Sequence, residues 1–338
     1  MAMSPAKPKP SPARILLLPD CGPEVGGGHV MRCLALAEAL MARGAACAML
    51  ATPSVAKVLD VFAPRELDRI EAADRWDADV VLVDHYRLTA EDERRLGETV
   101  AVIDDLADRP HACRLLIDPT LGRAEDAYAA LTPAGCRVLT GPAYALLAPG
   151  FAQARISALA ARRPEAAPRR LLLSLGLTDL GGITERVLRL ITPQLGELQV
   201  DVAVGGAAPG LPALQTLAAE DPRIGLHVDT REMPSLIAAA DVGIGAGGVS
   251  TWERATLGLP SISLVLADNQ RNLARELDRR GAVLAIEAGE GMSTALPEAF
   301  GRLLGEAGLR RRLSETSAIL CDGRGAARVA EAVLALVG

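Results

Sequence analysis

The chain has 338 residues, half of them apolar, and a formal net charge of −6. Single hydrophobic cores stop growing beyond roughly 250–300 residues, so two domains are expected, and the apolar content excludes a disordered chain. The acidic balance excludes a general nucleic-acid binder, which needs a basic footprint.

Residues 1–13 (MAMSPAKPKPSPA) are rich in Pro, Ala and Lys and lack the apolar core of a secretory signal, so they read as a flexible tail. No run approaches the roughly 18 apolar residues of a spanning helix, so no membrane insertion is expected. Six cysteines are scattered without a C-x-x-C pair, the pattern of reduced core thiols in a cytoplasmic protein. Arg14–Pro19 has the length and apolarity of a buried strand and runs into a glycine cluster. His29–Arg43 then shows helical spacing through Val30, Leu34, Ala37 and Met41, and Gly44 ends it. Strands follow at Ala45–Ala51, Asp79–Val83, Val100–Ile103, Leu115–Ile117 and Val138–Leu139. Strands apolar on both faces and separated by helices predict a parallel sheet covered on both sides.

Residues 158–168 (ALAARRPEAAP) carry no strand signal and suit a linker. A second α/β set begins at Arg170–Leu175, with strands at Val200–Val204, Ile224–Val228, Val242–Ile244, Ile262–Val265 and Val283–Ile286. From Leu296 to Val337 the pattern is helical, interrupted near Asp322–Gly325. The expected organisation is a tail (1–13), a first Rossmann-like domain (14–157), a linker (158–168), a second Rossmann-like domain (169–318) and a C-terminal helix (319–338). Open parallel sheets bind ligands beyond the carboxyl ends of their strands, so chemistry is sought in the loops that follow them.

The first such loop leads through Gly26-Gly27-Gly28-His29 to Arg32 and opens a helix. Glycines admit a ligand close to the backbone, and a helix start offers free N–H groups to an anion. The positive end of the helix dipole disfavours imidazolium, leaving His29 suited to act as a general base, and Arg32 on the same face pushes the same way. A capping histidine in a plain glycine turn is the other reading. The second loop is Gly245-Ala246-Gly247-Gly248-Val249-Ser250-Thr251-Trp252-Glu253-Arg254. Its S-x-x-E spacing fits a capping box, or Glu253 accepts from both hydroxyls of a ribose. The third, Asp268-Asn269-Gln270, offers an N-cap or a cleft-facing polar group. Asp84-His85-Tyr86 and Asp104-Asp105 end strands, where carboxylates suit hydroxyl recognition. The four histidines have no metal-ligand spacing with the cysteines. No Walker loop or G-x-S-x-G elbow is present.

At these residues the chain resembles the hydrolases of pseudaminic acid biosynthesis that release UDP from UDP-2,4-diacetamido-2,4,6-trideoxy-β-L-altropyranose. They are relatives of the two-domain glycosyltransferases of the B fold. The resemblance is carried by Gly26–Leu40 (GGGHVMRCLALAEAL), Ile103–Gly122, Gly141–Arg155, Gly245–Gln270 and Asp322–Val329 (DGRGAARV), in order along nearly the whole chain. It implies two Rossmann-like domains facing across a cleft, with His29 activating water for attack at the anomeric carbon. It implies a UDP-sugar substrate held by Gly27, Gly28, Arg32 and Tyr86, and by Gly247, Gly248, Ser250, Thr251, Glu253 and Asn269, with no metal and no cofactor. Glu253 would hold the ribose, and Asn269 would lie near the sugar or diphosphate. The chain departs at Ser174–Leu180, where Leu177 and Leu180 replace a Gly and a Pro, and at Val249, where Ser or Thr is usual. A glycosyltransferase of the same architecture, and a non-catalytic nucleotide-sugar binder, are the alternatives.

Overall fold

The computed structural model describes residues 11–22 and 25–337. Most of the expected tail, and Pro23 and Glu24 of the first glycine loop, lie outside the described residues. Two parallel sheets organise the chain. The first contains β1 (Arg14–Pro19), β2 (Ala46–Leu50), β3 (Asp68–Ile70), β4 (Val80–Asp84), β5 (Val100–Ile103), β6 (Leu115–Asp118) and β7 (Arg137–Thr140), in spatial order β3-β2-β1-β4-β5-β6-β7. The second contains β8 (Arg170–Ser174), β9 (Gln199–Val204), β10 (Ile224–Val228), β11 (Val242–Ala246), β12 (Ser261–Val265) and β13 (Leu284–Glu287), in order β10-β9-β8-β11-β12-β13. The central strands are buried along their length, which accounts for their unbroken apolar runs. β3 was not anticipated: two of its three residues (DRI) are charged and exposed, and it lies at the sheet edge.

Twelve α-helices cover these sheets among the described residues. In the first half they are α1 (Gly28–Met41), α2 (Pro53–Phe62), α3 (Ala90–Leu96) and α4 (Pro149–Ala161). In the second they are α5 (Ile183–Ile191), α6 (Leu211–Glu220), α7 (Met233–Ala239), α8 (Ser250–Thr256), α9 (Asp268–Arg279), α10 (Met292–Gly305), α11 (Ala307–Leu320) and α12 (Gly325–Leu334). None is long and apolar enough to cross a membrane.

Two of them cross between the halves. α4 puts Phe151 and Ala158 into a core with Leu172, Ile237 and Trp252 of the second half. Its Arg155 donates to the carbonyls of Thr256, Ala318 and Cys321, and Arg162 to those of Ile237 and Leu257. These carbonyls sit at or just beyond the C-terminal ends of α7, α8 and α11, where intrahelical donors run out. Residues 158–161, expected in a linker, are the last turn of this helix. In return, α12 carries Ala326, Val329, Ala330 and Val333 back into the first core, against the strands and α1. Each buried valine there contributes about 1.5–3 kcal/mol, so the C-terminal helix is an integral layer of the first domain.

Candidate active site

In each sheet the chain leaves the first strand to one side and later returns on the other, between β1 and β4 and between β8 and β11. Loops following such neighbours diverge and leave a crevice. In the first sheet the crevice holds the start of α1 and the end of β4. Gly27 caps α1 without a side chain, and a Cβ there would lie 3.2 Å from Leu177 Cδ1 of the second domain, so only glycine leaves that approach unforced. His29 is the second helical residue and is 5% exposed. Asp84, opposite Pro19 in the register, is completely buried.

The two meet. His29 Nδ1 lies 2.5 Å from Asp84 Oδ1. Arg32, one turn along α1, donates to both oxygens of the same carboxylate, through Nε at 2.6 Å and Nη2 at 2.5 Å. Burial opposes ionisation of Asp84, but the charge of Arg32 and the hydrogen bonds from Arg32 and His29 outweigh it and hold the carboxyl well below the usual range. An ionised carboxylate only accepts, so Nδ1 carries the proton of this bond and the neutral ring keeps its lone pair on Nε2. Arg32 Nη2 also lies 3.0 Å from Nδ1, but as a donor it is oriented by Asp84.

Tyr86 stands edge-on to the His29 ring, with centroids 4.6 Å apart and planes at 88°. Its hydroxyl donates to Asp105 Oδ1 at 2.9 Å, while Asp105 Oδ2 accepts from Arg32 at 2.8 Å. Burial, then Asp105, pushes the phenol well above its ordinary range. Of the strand-end carboxylates expected to meet substrate hydroxyls, Asp84 and Asp104 are internal. Asp104 accepts from the Ala107 amide and the Tyr128 hydroxyl, both at 2.8 Å, and from Arg109 at 3.1 Å. Arg109 also donates to the His85 carbonyl at 2.9 Å, tying the Tyr86 loop to the next strand.

The second domain supplies the opposite wall. Two capping expectations fail here. Ser250 and Glu253 form no capping box: α8 begins after Val249, Ser250 is already helical, and its hydroxyl reaches back toward Ala246 O at 3.5 Å. α9 likewise begins after Ala267, with no side-chain cap from Asp268 or Asn269. Below the glycine loop, Arg254 donates to Ala246 O at 2.9 Å and to Ser250 Oγ at 3.2 Å. A Cβ on Gly245 would collide with this guanidinium, so the loop's first glycine makes room for an internal strut. Thr251 belongs to the same strut: it is buried and donates to Ala246 O at 3.1 Å. The Gly247 amide donates to Leu264 O at 2.9 Å, while Gly248 and Ser250 are partly exposed. Glu253 is half-buried, and among the described residues its carboxylate has no hydrogen-bond partner. Burial pushes it up to about 7, against the opposing charge of Arg254.

Across the cleft Asn269 Nδ2 donates to the Tyr86 hydroxyl at 3.1 Å. The neighbouring Gln270 accepts from the Leu266 amide at 3.0 Å and fixes this turn. In the loop Ser174–Leu180, Leu177 faces Gly27 and Leu180 is 49% exposed. Asp179 adopts a left-handed backbone (φ 41°) and binds the Thr184 amide and hydroxyl. His29, Arg32, Tyr86 and Asn269 are thus joined, and Thr251 is withdrawn beneath its loop. The joining roles of Asp84 and Asp105 escaped the sequence reading. Their signal was topological: doubly wound order places the end of β4 beside the loop after β1.

Comparison with known proteins agrees with the fold. No family model matches the chain. It is 28% identical over 196 residues to the spore coat polysaccharide biosynthesis protein SpsG of Bacillus subtilis, an alignment that covers 57% of each chain. The chain therefore spans little more than half the length of that relative. It is 22% identical over 277 residues to the UDP-2,4-diacetamido-2,4,6-trideoxy-β-L-altropyranose hydrolase of Campylobacter jejuni, covering 79% of this chain and 97% of the relative. MurG of Acinetobacter baumannii superposes with a TM-score of 0.63 at 16% identity, over 96% of this chain and all of the other. The architecture is that of the B-type glycosyltransferases, as expected, and at these identities the likeness to the solved structure shows the fold alone.

Proposed function

We propose that the chain hydrolyses a UDP-linked sugar, UDP-2,4-diacetamido-2,4,6-trideoxy-β-L-altropyranose, to UDP and the free sugar, as in pseudaminic acid biosynthesis. The observation that carries the reading is the buried His29–Asp84 pair at the first-domain switch point. Asp84 orients the ring and sets its tautomer, so Nε2 accepts a proton from water as the water oxygen bonds to the anomeric carbon. The C1–O bond to the diphosphate breaks with both electrons going to UDP, through an oxocarbenium-like transition state as in glycoside hydrolysis. Gly27 and Gly28 at the start of α1, with Gly248 and Ser250 opposite, are assigned to the diphosphate, and Glu253 to the ribose. Tyr86 stands edge-on to the His29 ring, and Asn269 of the second domain donates to its hydroxyl, so both domains meet beside the proposed base.

The test is incubation of the protein with the UDP-sugar alone, following UDP release and the sugar anomers by NMR. Stoichiometric free sugar is expected. UDP release that requires a sugar or lipid acceptor would instead assign a transferase, and tight binding without turnover a nucleotide-sugar sensor. General base catalysis contributes typically ~10²–10⁴-fold, so His29→Ala is expected to lose about that in turnover while still binding uridine.

A further inference from the structure

The proposed reaction uses none of the six cysteines, yet two of them are paired in space. Cys113 lies two residues before β6 and Cys136 immediately before the neighbouring β7, and their sulfurs lie 3.7 Å apart as free thiols. The parallel register aligns Leu115 with Arg137, which puts Cys136 opposite Arg114, one residue beyond Cys113. With strands ~4.8 Å apart and a rise of ~3.3 Å per residue, such diagonal α-carbons are about 6 Å apart. That separation is within the range a disulfide spans without backbone movement. No other two cysteines share a hydrogen bond among the described residues.

The two thiols are unequal in the way a resolving pair requires. Cys113 is buried, whereas Cys136 is half-exposed on the wall of a surface hollow of about 470 Å³ that also presents Thr132 and Gly135. The contact between the two sulfurs, together with burial, pushes the Cys113 thiol well up. Cys136 is the sulfur that a small oxidant can reach, and Cys113 lies beneath it as the resolving thiol.

We propose that Cys113 and Cys136 are a redox-modifiable dithiol that closes to a disulfide with a peroxide as oxidant. The Cys136 thiolate attacks one peroxide oxygen, the O–O bond breaks, and the other oxygen leaves as water or an alcohol after taking up a proton. This leaves Cys136 as the sulfenic acid. Cys113 sulfur then attacks Cys136 sulfur, the S–O bond breaks, and the hydroxyl leaves with the Cys113 proton as water. In sum two thiols lose two electrons and two protons, and the peroxide is reduced. The bridge would link the edge strand β7 to the segment in which the His111 ring and the Ala112 amide hold Glu93.

The full-length protein is treated with hydrogen peroxide, its free thiols are titrated after unfolding, and non-reduced peptides are weighed. The expected result is a fall from six free thiols to four, with a cross-linked peptide joining Cys113 to Cys136 and full reversal by dithiothreitol. In Cys113→Ser, Cys136 should persist as a sulfenic acid trappable by a 1,3-dione. Six thiols retained, a cross-link between other cysteines or between two chains, or irreversible oxidation of Cys136 without a bridge would overturn the proposal. The wild-type measurement decides the matter even if the variant fails to fold.

Discussion

Asn269 of the second domain donates to the Tyr86 hydroxyl of the first, and the same hydroxyl donates to Asp105. The polarity of the chain is fixed from its charged end. Asp105 can only accept, so Tyr86 gives it a proton, and the phenolic oxygen is left to accept from Asn269. Asp105 is also held by Arg32, which grips Asp84, the partner of His29. Hydrogen bonds thus run unbroken from the second domain to the proposed base.

Tyr86→Phe keeps the ring against His29 and removes both of its hydroxyl bonds. A hydrogen bond to a charged group contributes about 1.5–3 kcal/mol, which corresponds to a loss of roughly 10- to 100-fold in kcat on the proposed reaction. Uridine affinity should change far less, because the nucleoside is assigned to the second domain. Equal losses in kcat and in uridine affinity would show that Tyr86 supports binding and not the base.

Asp84→Asn keeps the shape of the buried acceptor and removes its charge. The amide can present N–H to His29 Nδ1, which would force the proton onto Nε2 and abolish the acceptor that water needs. It also leaves Arg32 with only Asp105, and breaking a buried ion pair costs about 3–5 kcal/mol. The expected outcome is loss of turnover beyond that of Tyr86→Phe, with a lowered urea midpoint. Because Asp84 titrates below its unfolded range, its contribution is present above about pH 4 and fades as pH falls further. Acid unfolding should therefore be shallower in the variant than in the wild type. A variant with wild-type turnover would remove Asp84 from the mechanism.

Much of this arrangement was legible before any coordinates. The apolar runs Arg14–Pro19 and Arg170–Leu175, each followed by glycine, located both central strands and so both switch points. His29 and Arg32 stand out from their place at the helix start after β1, while the site roles of Tyr86 and Asn269 come from the family resemblance. What sequence could not supply was pairing. Asp84 reads as one of several strand-end acids, and only the order β2-β1-β4 turns it toward α1. The capping motifs misled for a related reason: S-x-x-E is a local pattern, but Arg254 packed beneath the loop draws Ser250 into the first turn. β3 was invisible because an edge strand of three residues, two of them charged, is too short for a periodicity to be read.

Away from the cleft, the His111 imidazole is buried between Glu93, 2.8 Å from Nδ1, and Asp104, 3.8 Å from Nε2. Burial alone would lower its pKa, but Asp104 and Glu93 outweigh it and raise the group to about 9. A raised folded-state value stabilises fully below the unfolded value of ~6.5 and ceases to do so as pH rises through about 9. At ~1.4 kcal/mol per unit, up to about 3 kcal/mol is involved. Urea unfolding of wild type and His111→Gln should differ most below pH 6.5 and converge by pH 9.5. A difference constant across that window would contradict a charged His111.

Glu253 offers the sharpest reading of the nucleotide side, because it is half-buried, has no hydrogen-bond partner among the described residues and is raised to about 7. A raised carboxyl binds its proton longer in the folded state, so the group lowers stability as pH climbs from about 4.5 to 7. A ribose diol donating to the ionised form would supply the missing partners, and binding should therefore tighten as the proton leaves. Uridine carries no phosphate to titrate in this range and is the probe to use. Between pH 6 and 8 the ionised fraction of a group with pKa 7 rises by about tenfold, and uridine affinity measured by calorimetry should rise with it. In Glu253→Gln the affinity should be weaker and flat across the same range. The same slope in that variant would move the ribose to another residue, leaving Glu253 as a half-buried acid without a ligand.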